Sequence, residues 1–463
     1  MLAPVASSSF ENDLERIEIL AATPVMSTAL LERNLNCIYE QAAAARFDDY
    51  DVISIVKAAP SLMYRLFDVR VGLREKLAHY EMLGLMTPGV IQGFRNVFRV
   101  LRYVSDMLGE IMSIGPDPID RGYLLRGFTG DENNTLINYA FYRDGASVAF
   151  RSGDVVLVRG RAHNSAAIAR IGDVDSQFSH IGIVHVDDNG DHWMVESLIE
   201  DGAIINPLGK ALDHNIVRAV LYRNRDADLA ARAAKSIFDY VAASRVRGGK
   251  RILYDFSMQT DETRNLFCSK LVRLAFAQAS GGQFVLPTYP TRIVCKNRDF
   301  LDRVGVATDT TFAPADIDME SGFDLVAEWQ DYRETSNIRL QDFTMDKLFE
   351  WMERYNYRFE ETPAVKLVSL LGRFSSHFSD GAKQTLSSVF PRVPSNMPRK
   401  TVAVVAMLHK TAEPIYHELQ RQNHQIVTET GIPMHGLDIF SALEAIRAHC
   451  GNRIGYLVRH GSR

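Results

Sequence analysis

The fold is decided by residues 267–274, which read F-C-S-K-L-V-R-L. The preceding residues 260–265, T-D-E-T-R-N, are polar and have the composition of an extended lead-in. Apolar residues then recur at helical spacing, at Leu271, Val272, Leu274 and Ala275. We therefore predict a helix whose first turn contains Cys268. Unpaired backbone amides and the positive end of the helix dipole lower the pKa of a thiol there, so Cys268 is a candidate nucleophile.

Composition excludes several classes of protein. The chain has 463 residues, which suits two or three domains, and its 46% hydrophobic and 24% charged residues are typical of globular proteins. A net charge of −5 argues against nucleic acid as a partner. The four cysteines, Cys37, Cys268, Cys295 and Cys450, form no C-x-x-C pair. We therefore expect reduced thiols, no metal site and no cofactor.

The beginning of the chain, M-L-A-P-V-A-S-S-S-F at 1–10, lacks a basic segment followed by a long apolar run. No stretch reaches the ~18 uninterrupted apolar residues that a membrane span needs. We therefore expect a soluble protein, either cytoplasmic or exported without a Sec-type signal peptide. Nothing in the sequence indicates an oligomeric state.

The pattern divides the chain into three regions. Residues 1–130 have helical character, with Pro60 predicted to break one helix and Thr87-Pro88 to begin another. The apolar stripe of that later helix, at 90–112, favours packing in a bundle, and a peripheral membrane contact is the alternative. Residues 131–305 alternate short strands with turns, and 306–463 return mainly to helix. The fold class is therefore α+β.

A predicted hairpin brings a histidine and a carboxylate together. Residues 187–191, D-D-N-G-D, read as a turn, so Val186 would face His192. That register places His180 and Glu196 on one face of the sheet as diagonal neighbours, about 7–8 Å apart at the backbone. His185 has the opposite parity and points to the other face.

These residue types favour covalent acyl transfer. Cys268 would attack a carbonyl carbon, His180 would act as the base and Glu196 would orient the imidazole. The Cys268 amide is a candidate oxyanion donor. The alternatives are a buried core cysteine, a hydrogen-bonded core histidine and a solvent-facing glutamate. We assign no function to the remaining candidates, which are His163, His192, His214, Cys37, Cys295 and Cys450.

Six short motifs in this order resemble a known family. They are S-G-D-V-V-L-V-R-G at 152–160, Q-F-S-H-I-G-I-V at 177–184, V-E-S at 195–197, N-P-L at 206–208, Y-D-F at 254–256 and F-C-S-K-L-V at 267–272. Over about residues 150–300 the chain resembles the YiiX/YebB-like permuted papain-fold cysteine hydrolases of the NlpC superfamily. The histidine comes first, the third polar residue second and the cysteine last in that family, as they do here.

The resemblance implies both a fold and a site. The fold would be a permuted papain-like (NlpC-type) core with an antiparallel sheet and a nucleophile helix, flanked by two mainly helical regions. Cys268 matches the family's nucleophile, His180 its base, Glu196 its polar third member and Tyr254 a tyrosine that lines the substrate site. Asp154 matches an aspartate with a structural role. Lys270 departs from the family, which commonly has glutamate there, and we expect no effect on the chemistry.

Three functions remain open from the sequence. The first is a cysteine hydrolase that cleaves an amide or ester bond, thioesters included, in a peptide or lipid substrate. The second keeps the same three residues but passes a fatty acyl group to a lysine or lipid acceptor. The third is a non-catalytic binding module. Exclusion of water from the acyl-enzyme would distinguish the first two.

Overall fold

A computed structural model describes residues 9–114, 127–128, 134–142, 148–213, 216–261, 264–293, 298–362 and 396–461. The predictions for Cys295 and His214 therefore lie outside the described residues. Within these ranges, no helix has both the length and the apolar character required to cross a membrane.

In the described N-terminal residues, five α-helices form a bundle. They are α1 (Phe10–Ala22), α2 (Thr28–Ala44), α3 (Val52–Glu75), α4 (Leu77–Met82) and α5 (Pro88–Ile114). The Thr87 hydroxyl accepts a hydrogen bond from the Val90 amide at 3.3 Å, which caps α5 at the predicted position. The apolar stripe of α5 is buried, including Phe94 and Leu101 at 0% exposure, so the bundle interpretation of this helix is confirmed.

The predicted helix break at Pro60 is wrong, because Pro60 lies inside the continuous helix α3. A proline within a helix removes one backbone hydrogen bond and costs about 3 kcal/mol or more. Three large side chains of the same helix, Leu62, Met63 and Leu66, are almost fully buried in the bundle. Burial of each contributes about 1.5–3 kcal/mol, which outweighs the local cost of the proline.

One antiparallel sheet forms the centre of the molecule, in the strand order β1-β9-β6-β2-β3-β4-β5. The strands, in chain order, are β1 (Thr135–Ile137), β2 (Val155–Gly160), β3 (His180–Val186), β4 (His192–Leu198), β5 (Gly202–Pro207), β6 (Ile216–Asn224), β7 (Thr291–Arg292), β8 (Thr310–Thr311) and β9 (Phe323–Gln330). The short strands β7 and β8 pair only with each other.

Alternating side chains place a core on each face of this sheet. Val155, Ile181 and Ile183 belong to the larger core, which also contains the N-terminal bundle. Val156 and Val184 belong to a second core on the other face. Both faces are therefore covered, which explains why β2 and β6 read as nearly continuous apolar runs.

Among the described residues, two longer helices and three short ones complete the central part. They are α6 (His163–Ile168), α7 (Leu208–Leu212), α8 (Ala227–Arg245), α9 (Cys268–Ala279) and α10 (Arg298–Val304). The helices α8 and α9 pack on each other and on β3. Helix α9 is the helix that the sequence predicts, and Cys268 lies in its first turn as expected.

The C-terminal part is mainly helical but contributes to the central sheet. Its elements are α11 (Thr335–Arg354), β10 (Tyr357–Phe359), α12 (Arg399–Thr430), α13 (Gly436–Cys450), β11 (Arg453–Ile454) and β12 (Leu457–Arg459). Strand β9 follows the predicted boundary at residue 305, yet it pairs with both β6 and β1. The three-region division at 130 and 305 stays a prediction, and the sheet itself draws strands from both the central and the C-terminal regions.

Candidate active site

Cys268 is the first residue of α9 and is buried, with 6% of its surface exposed. Phe267 occupies the position before the helix and offers no side chain to cap it. The first amides of α9 therefore have no side-chain partner at this end. The His180 side chain and the Ile181 backbone amide lie near the Cys268 sulfur, and both favour its thiolate form. The Ser269 hydroxyl lies 3.9 Å from the same sulfur.

The structure brings His180 and Glu196 together through the hairpin of β3 and β4. Val186 pairs with His192, which is the register that the turn composition predicts. The His180 Nε2 atom lies 2.8 Å from a Glu196 carboxylate oxygen. Because Nε2 is engaged in this way, Nδ1 is the ring nitrogen left for Cys268. His185 lies on the other face, where its ring packs on Phe238 of α8 with centroids 4.4 Å apart.

The electrostatics of the site favour a charged pair. Burial lowers the pKa of His180, but its hydrogen bonds with Cys268 and Glu196 outweigh burial and raise that pKa to about 10. Burial raises the pKa of Cys268, whereas the hydrogen bond and charge of His180 lower it, and the net direction is downward. Both shifts favour a thiolate beside an imidazolium, the reactive form of a nucleophilic cysteine.

Asn206 is a site residue for which the sequence reasoning gave no role. It lies on β5, next to β4, and its Nδ2 atom donates a 2.9 Å hydrogen bond to the second carboxylate oxygen of Glu196. Glu196 is therefore held from both sides, by Asn206 and by His180. The signal in the sequence was the N-P-L motif at 206–208, whose asparagine is an amide donor on a neighbouring strand.

Tyr254 lies beside the nucleophile and is 6% exposed. Burial and the nearby charge of Cys268 raise the pKa of its hydroxyl well above the ordinary value, so the hydroxyl keeps its proton. Its ring packs on Phe256 with centroids 5.1 Å apart. The C-terminal part reaches this position, because the Asn396 side chain donates a 2.8 Å hydrogen bond to the Tyr254 carbonyl.

Lys270 forms a buried ion pair in the first turn of α9. Its Nζ atom lies 2.7 Å from a carboxylate oxygen of Asp255, and both side chains are almost fully buried. The other Asp255 oxygen accepts hydrogen bonds from the amide and the hydroxyl of Ser257. Lys270 thus fixes the start of α9 to the segment that carries Tyr254, and among the described residues its side chain forms no hydrogen bond with Cys268 or His180.

Asp154 has the structural surroundings that the resemblance implies. Its carboxylate accepts two 2.7 Å hydrogen bonds from Arg223 of β6 and one from the Arg151 amide. Burial raises the pKa of Asp154 despite this arginine partner. The bidentate contact fixes the start of β2 against the end of β6.

The other described histidines and cysteines lie elsewhere. Burial lowers the pKa of His163 to about 4, and its ring packs against His409 and Tyr416. His192 is exposed at the start of β4. Cys37 is half-buried and Cys450 is exposed, so neither shares the environment of Cys268.

An open cleft of about 450 Å³ leads to Cys268 and His180. His180 and Cys268 line it together with Tyr254, Ser197 and Glu200. A substrate can therefore approach the sulfur and the imidazole from one side, and water has access along the same route. A thiolate, a proton donor and an orienting carboxylate at the base of a cleft are the parts needed for acyl chemistry.

The comparison with protein families matches this part of the chain. Residues 149–312, about a third of the sequence, match the family described as permuted papain-like amidase enzyme, YaeF/YiiX, C92 family. The matched region contains Cys268, His180, Glu196 and Tyr254. Comparisons with curated proteins and with solved structures found no match.

The family match confirms the resemblance and the α+β, permuted papain-like fold class for this region. It also supports an enzyme of the cysteine hydrolase or amidase type. The catalytic roles of the individual residues stay predictions.

Proposed function

We propose that this chain, whose central region matches permuted papain-like amidases, hydrolyses an amide or ester bond through a covalent acyl-enzyme on Cys268. One observation carries the proposal. The sulfur at the start of α9 shares a cleft with His180, whose charge lowers the pKa of the thiol, and His180 is held by Glu196 at 2.8 Å. Thioesters belong to the same reaction class, because they present the same carbonyl carbon to the thiolate.

Acylation begins from the charged pair. The Cys268 thiolate attacks the carbonyl carbon, a C–S bond forms and the carbonyl oxygen becomes an oxyanion. The unpaired amides in the first turn of α9 are the candidate donors to this oxyanion, with the Cys268 N–H the first of them. The His180 imidazolium then gives its Nδ1 proton to the leaving nitrogen or oxygen, and the bond to the leaving group breaks.

Deacylation reverses these roles. Neutral His180 takes a proton from water, the resulting hydroxide attacks the thioester carbonyl and the C–S bond breaks. The products are a carboxylic acid, the Cys268 thiolate and the His180 imidazolium. Glu196 stabilises the imidazolium in both steps, and Asn206 holds Glu196 in place.

The open cleft favours hydrolysis over acyl transfer. Water reaches His180 and Cys268 through the 450 Å³ cleft, so an acyl-enzyme at this site would be exposed to it. Transfer to a lysine or lipid acceptor requires that the acceptor exclude water from the same cleft. Hydrolysis is therefore our proposal, and the substrate is an amide- or acyl-bearing peptide or lipid.

The test is intact-protein mass spectrometry after acid quenching. Wild type is exposed to a peptide amide, a phospholipid and an acyl thioester. We expect a mass gain equal to one acyl group with at least one donor, and its loss in Cys268→Ala. The matched controls are Cys37→Ala and Cys450→Ala, which should keep the gain.

Two further results complete this test. Cys268→Ala should melt close to the wild-type temperature, whereas a large loss of stability would identify Cys268 as a core residue. Absence of an adduct with every donor, together with failure of iodoacetamide to label Cys268, would favour a binding module without catalysis.

A further inference from the structure

A buried hydroxyl lies beside the nucleophile. Ser269 is the second residue of α9 and has no exposed surface, so bulk water cannot reach its side chain. Its hydroxyl oxygen lies 3.9 Å from the Cys268 sulfur. Among the described residues, the hydroxyl has no other hydrogen-bond partner. Buried hydroxyl groups nearly always have a partner, and here the sulfur is the one available.

The position of Ser269 in its helix explains why the hydroxyl is free to bind the sulfur. A buried serine inside a helix commonly donates its hydroxyl to a backbone carbonyl one turn earlier. Ser105 of α5 does this, with a 3.1 Å hydrogen bond to the Leu101 carbonyl. For Ser269, the residue four positions earlier is residue 265, which precedes α9. The hydroxyl proton is therefore not taken up by the helix itself.

The direction of the contact follows from the charge of the sulfur. A thiolate carries no proton, so the hydroxyl must be the donor and the sulfur the acceptor. Hydrogen bonds to an ionised acceptor are stronger than neutral ones and favour the ionised form. Burial raises the pKa of Cys268, whereas His180 and, after it, the Ser269 hydroxyl lower that pKa.

We propose that Ser269 is a positioning residue for the nucleophile, whose hydroxyl donates a hydrogen bond to the Cys268 thiolate and stabilises it. The inference rests on the proposed function, because it concerns the thiolate that attacks the substrate. Ser269 does not line the open cleft, so contact with substrate is not its role. A more stable thiolate is present at lower pH but is a weaker nucleophile. The hydroxyl therefore extends the reaction towards acid pH and lowers the maximum rate of the sulfur.

Titratable groups from other parts of the fold also surround the sulfur. They are His180 of β3, Glu196 of β4, Glu200 after β4, Tyr254 and Asp255 before α9, and Lys270 of α9 itself. Ser269→Ala alters none of these groups. A change in the titration of Cys268 in this variant therefore reports the loss of the hydroxyl.

The test is the rate at which iodoacetamide alkylates Cys268 from about pH 4 to about pH 9, followed by peptide mass spectrometry. Ser269→Ala should raise the midpoint of this titration by about 0.5–1 pH unit, which lowers the thiolate fraction below the midpoint about three- to ten-fold. The plateau rate at high pH should stay the same or rise by up to about three-fold, because the sulfur becomes more nucleophilic. Ser269→Thr keeps the hydroxyl and should return the midpoint to the wild-type value.

Ser105→Ala is the matched control, because Ser105 is also a fully buried helical serine but bonds to its own helix. It should leave the midpoint of Cys268 unchanged. A merely structural role for Ser269 would lower the plateau rate and the melting temperature of Ser269→Ala without moving the midpoint, and this result would overturn the proposal. A wild-type midpoint and plateau in Ser269→Ala would overturn it too.

Alkylation needs no substrate, so this test is separate from that of the proposed function. A raised midpoint in Ser269→Ala, in a protein that forms no acyl-enzyme with any donor, would support the role of Ser269 and overturn the proposed function. An acyl-enzyme on Cys268 together with an unmoved midpoint would do the reverse. With a donor that acylates Cys268, the acid limb of kcat/KM against pH should move in Ser269→Ala by the same amount as the alkylation midpoint.

Discussion

At the scale of single residues, the chemistry of the site depends on the protonation states of Cys268 and His180. The shifts move in opposite directions, since the pKa of His180 rises to about 10 and that of Cys268 falls. A pair with these shifts is charged over a wide range of pH. Its upper limit is the loss of the His180 proton near pH 10, and its lower limit is protonation of the Cys268 sulfur.

This charge state predicts how Cys268 responds to pH. An ordinary thiol with a pKa near 8.5 is only roughly 0.3% ionised at pH 6, so its alkylation is slow there. We expect iodoacetamide to label Cys268 at pH 6 much faster, per accessible thiol, than exposed Cys450, with peptide mass spectrometry as the measurement. His180→Ala should remove this advantage. Equal rates for Cys268 and Cys450 at pH 6 would contradict a lowered pKa.

The contacts of Glu196 predict an order of losses. His180→Ala removes the proton donor and should cost the most activity, at least the 10²–10⁴-fold typical of a general acid–base group. Glu196→Gln keeps the shape but loses the charge, and it should cost less. Asn206→Ala removes one hydrogen bond to Glu196 and should cost about 10-fold. The measurement is kcat/KM on one substrate.

Asn189→Ala serves as the asparagine control for that series, because Asn189 is exposed in the turn between β3 and β4. A larger loss for Glu196→Gln than for His180→Ala would mean that Glu196 is not the third member of the site.

The sequence predicted those site residues that sit at recognisable positions. Cys268 follows from a helix start, and His180 with Glu196 follows from strand parity and a turn. Asn206 could not be predicted in this way. Its contact depends on which carboxylate lies beside the amide, and neither strand pairing nor periodicity encodes that distance.

At the scale of elements, the start of α9 is held by the buried pair of Lys270 and Asp255. Lys270→Met leaves the Asp255 carboxylate buried without its counterion, so we expect a loss of about 3–5 kcal/mol in the free energy of unfolding. Adding Asp255→Asn should recover part of that loss. Chemical denaturation measures both.

A surface pair gives the contrast for this prediction. Lys235 and Asp239 are also 2.8 Å apart but are mostly exposed on α8, so Lys235→Met should hardly change the melting temperature. If Lys270→Met also left the melting temperature unchanged, the 2.7 Å contact with Asp255 would have no role in holding α9.

Strand β9 is an element of the central sheet that was not predicted from the sequence. Its sequence, F-D-L-V-A-E-W-Q, contains charged and amide residues at positions that usually face solvent. Glu328 and Gln330 are nevertheless buried, at 1% and 3% exposure. Arg70 of α3 contacts Glu328, and this partner lies 258 residues away in the chain. Only the assembled fold makes such a strand compatible with burial.

At the scale of the whole molecule, buried ion pairs join the three parts of the chain. Arg339 of α11 forms two hydrogen bonds of 2.9 and 2.8 Å with Glu110 of α5. Arg159 of β2 contacts Asp342 of α11 at 2.6 Å, and Arg218 of β6 contacts Asp106 of α5. Breaking a buried pair by removing one partner is strongly destabilising. The central sheet therefore depends on both flanking parts.

This dependence predicts the behaviour of residues 149–312 expressed alone. The segment lacks β9 and β1, which leaves β6 as an unpaired edge, and it loses the partners of Arg159 and Arg218. We expect it to aggregate or to show no cooperative melting transition by circular dichroism. The full chain is the control and should melt cooperatively. A folded segment whose Cys268 is still labelled by iodoacetamide at pH 6 would contradict this expectation.

The turn at residues 187–191 determines which mutations the hairpin of β3 and β4 can accept. Its side chains from 188 to 191 are exposed, and the Asp187 carboxylate accepts hydrogen bonds from the amides of Asn189 and Asp191. Substitutions at 188, 189 and 191 should therefore be nearly silent. Loss of a single codon is different, because a one-residue slip turns Glu196 to the opposite face and away from His180. In a scan of substitutions and deletions, we expect activity to survive substitutions in this turn but not the deletion of one of its residues.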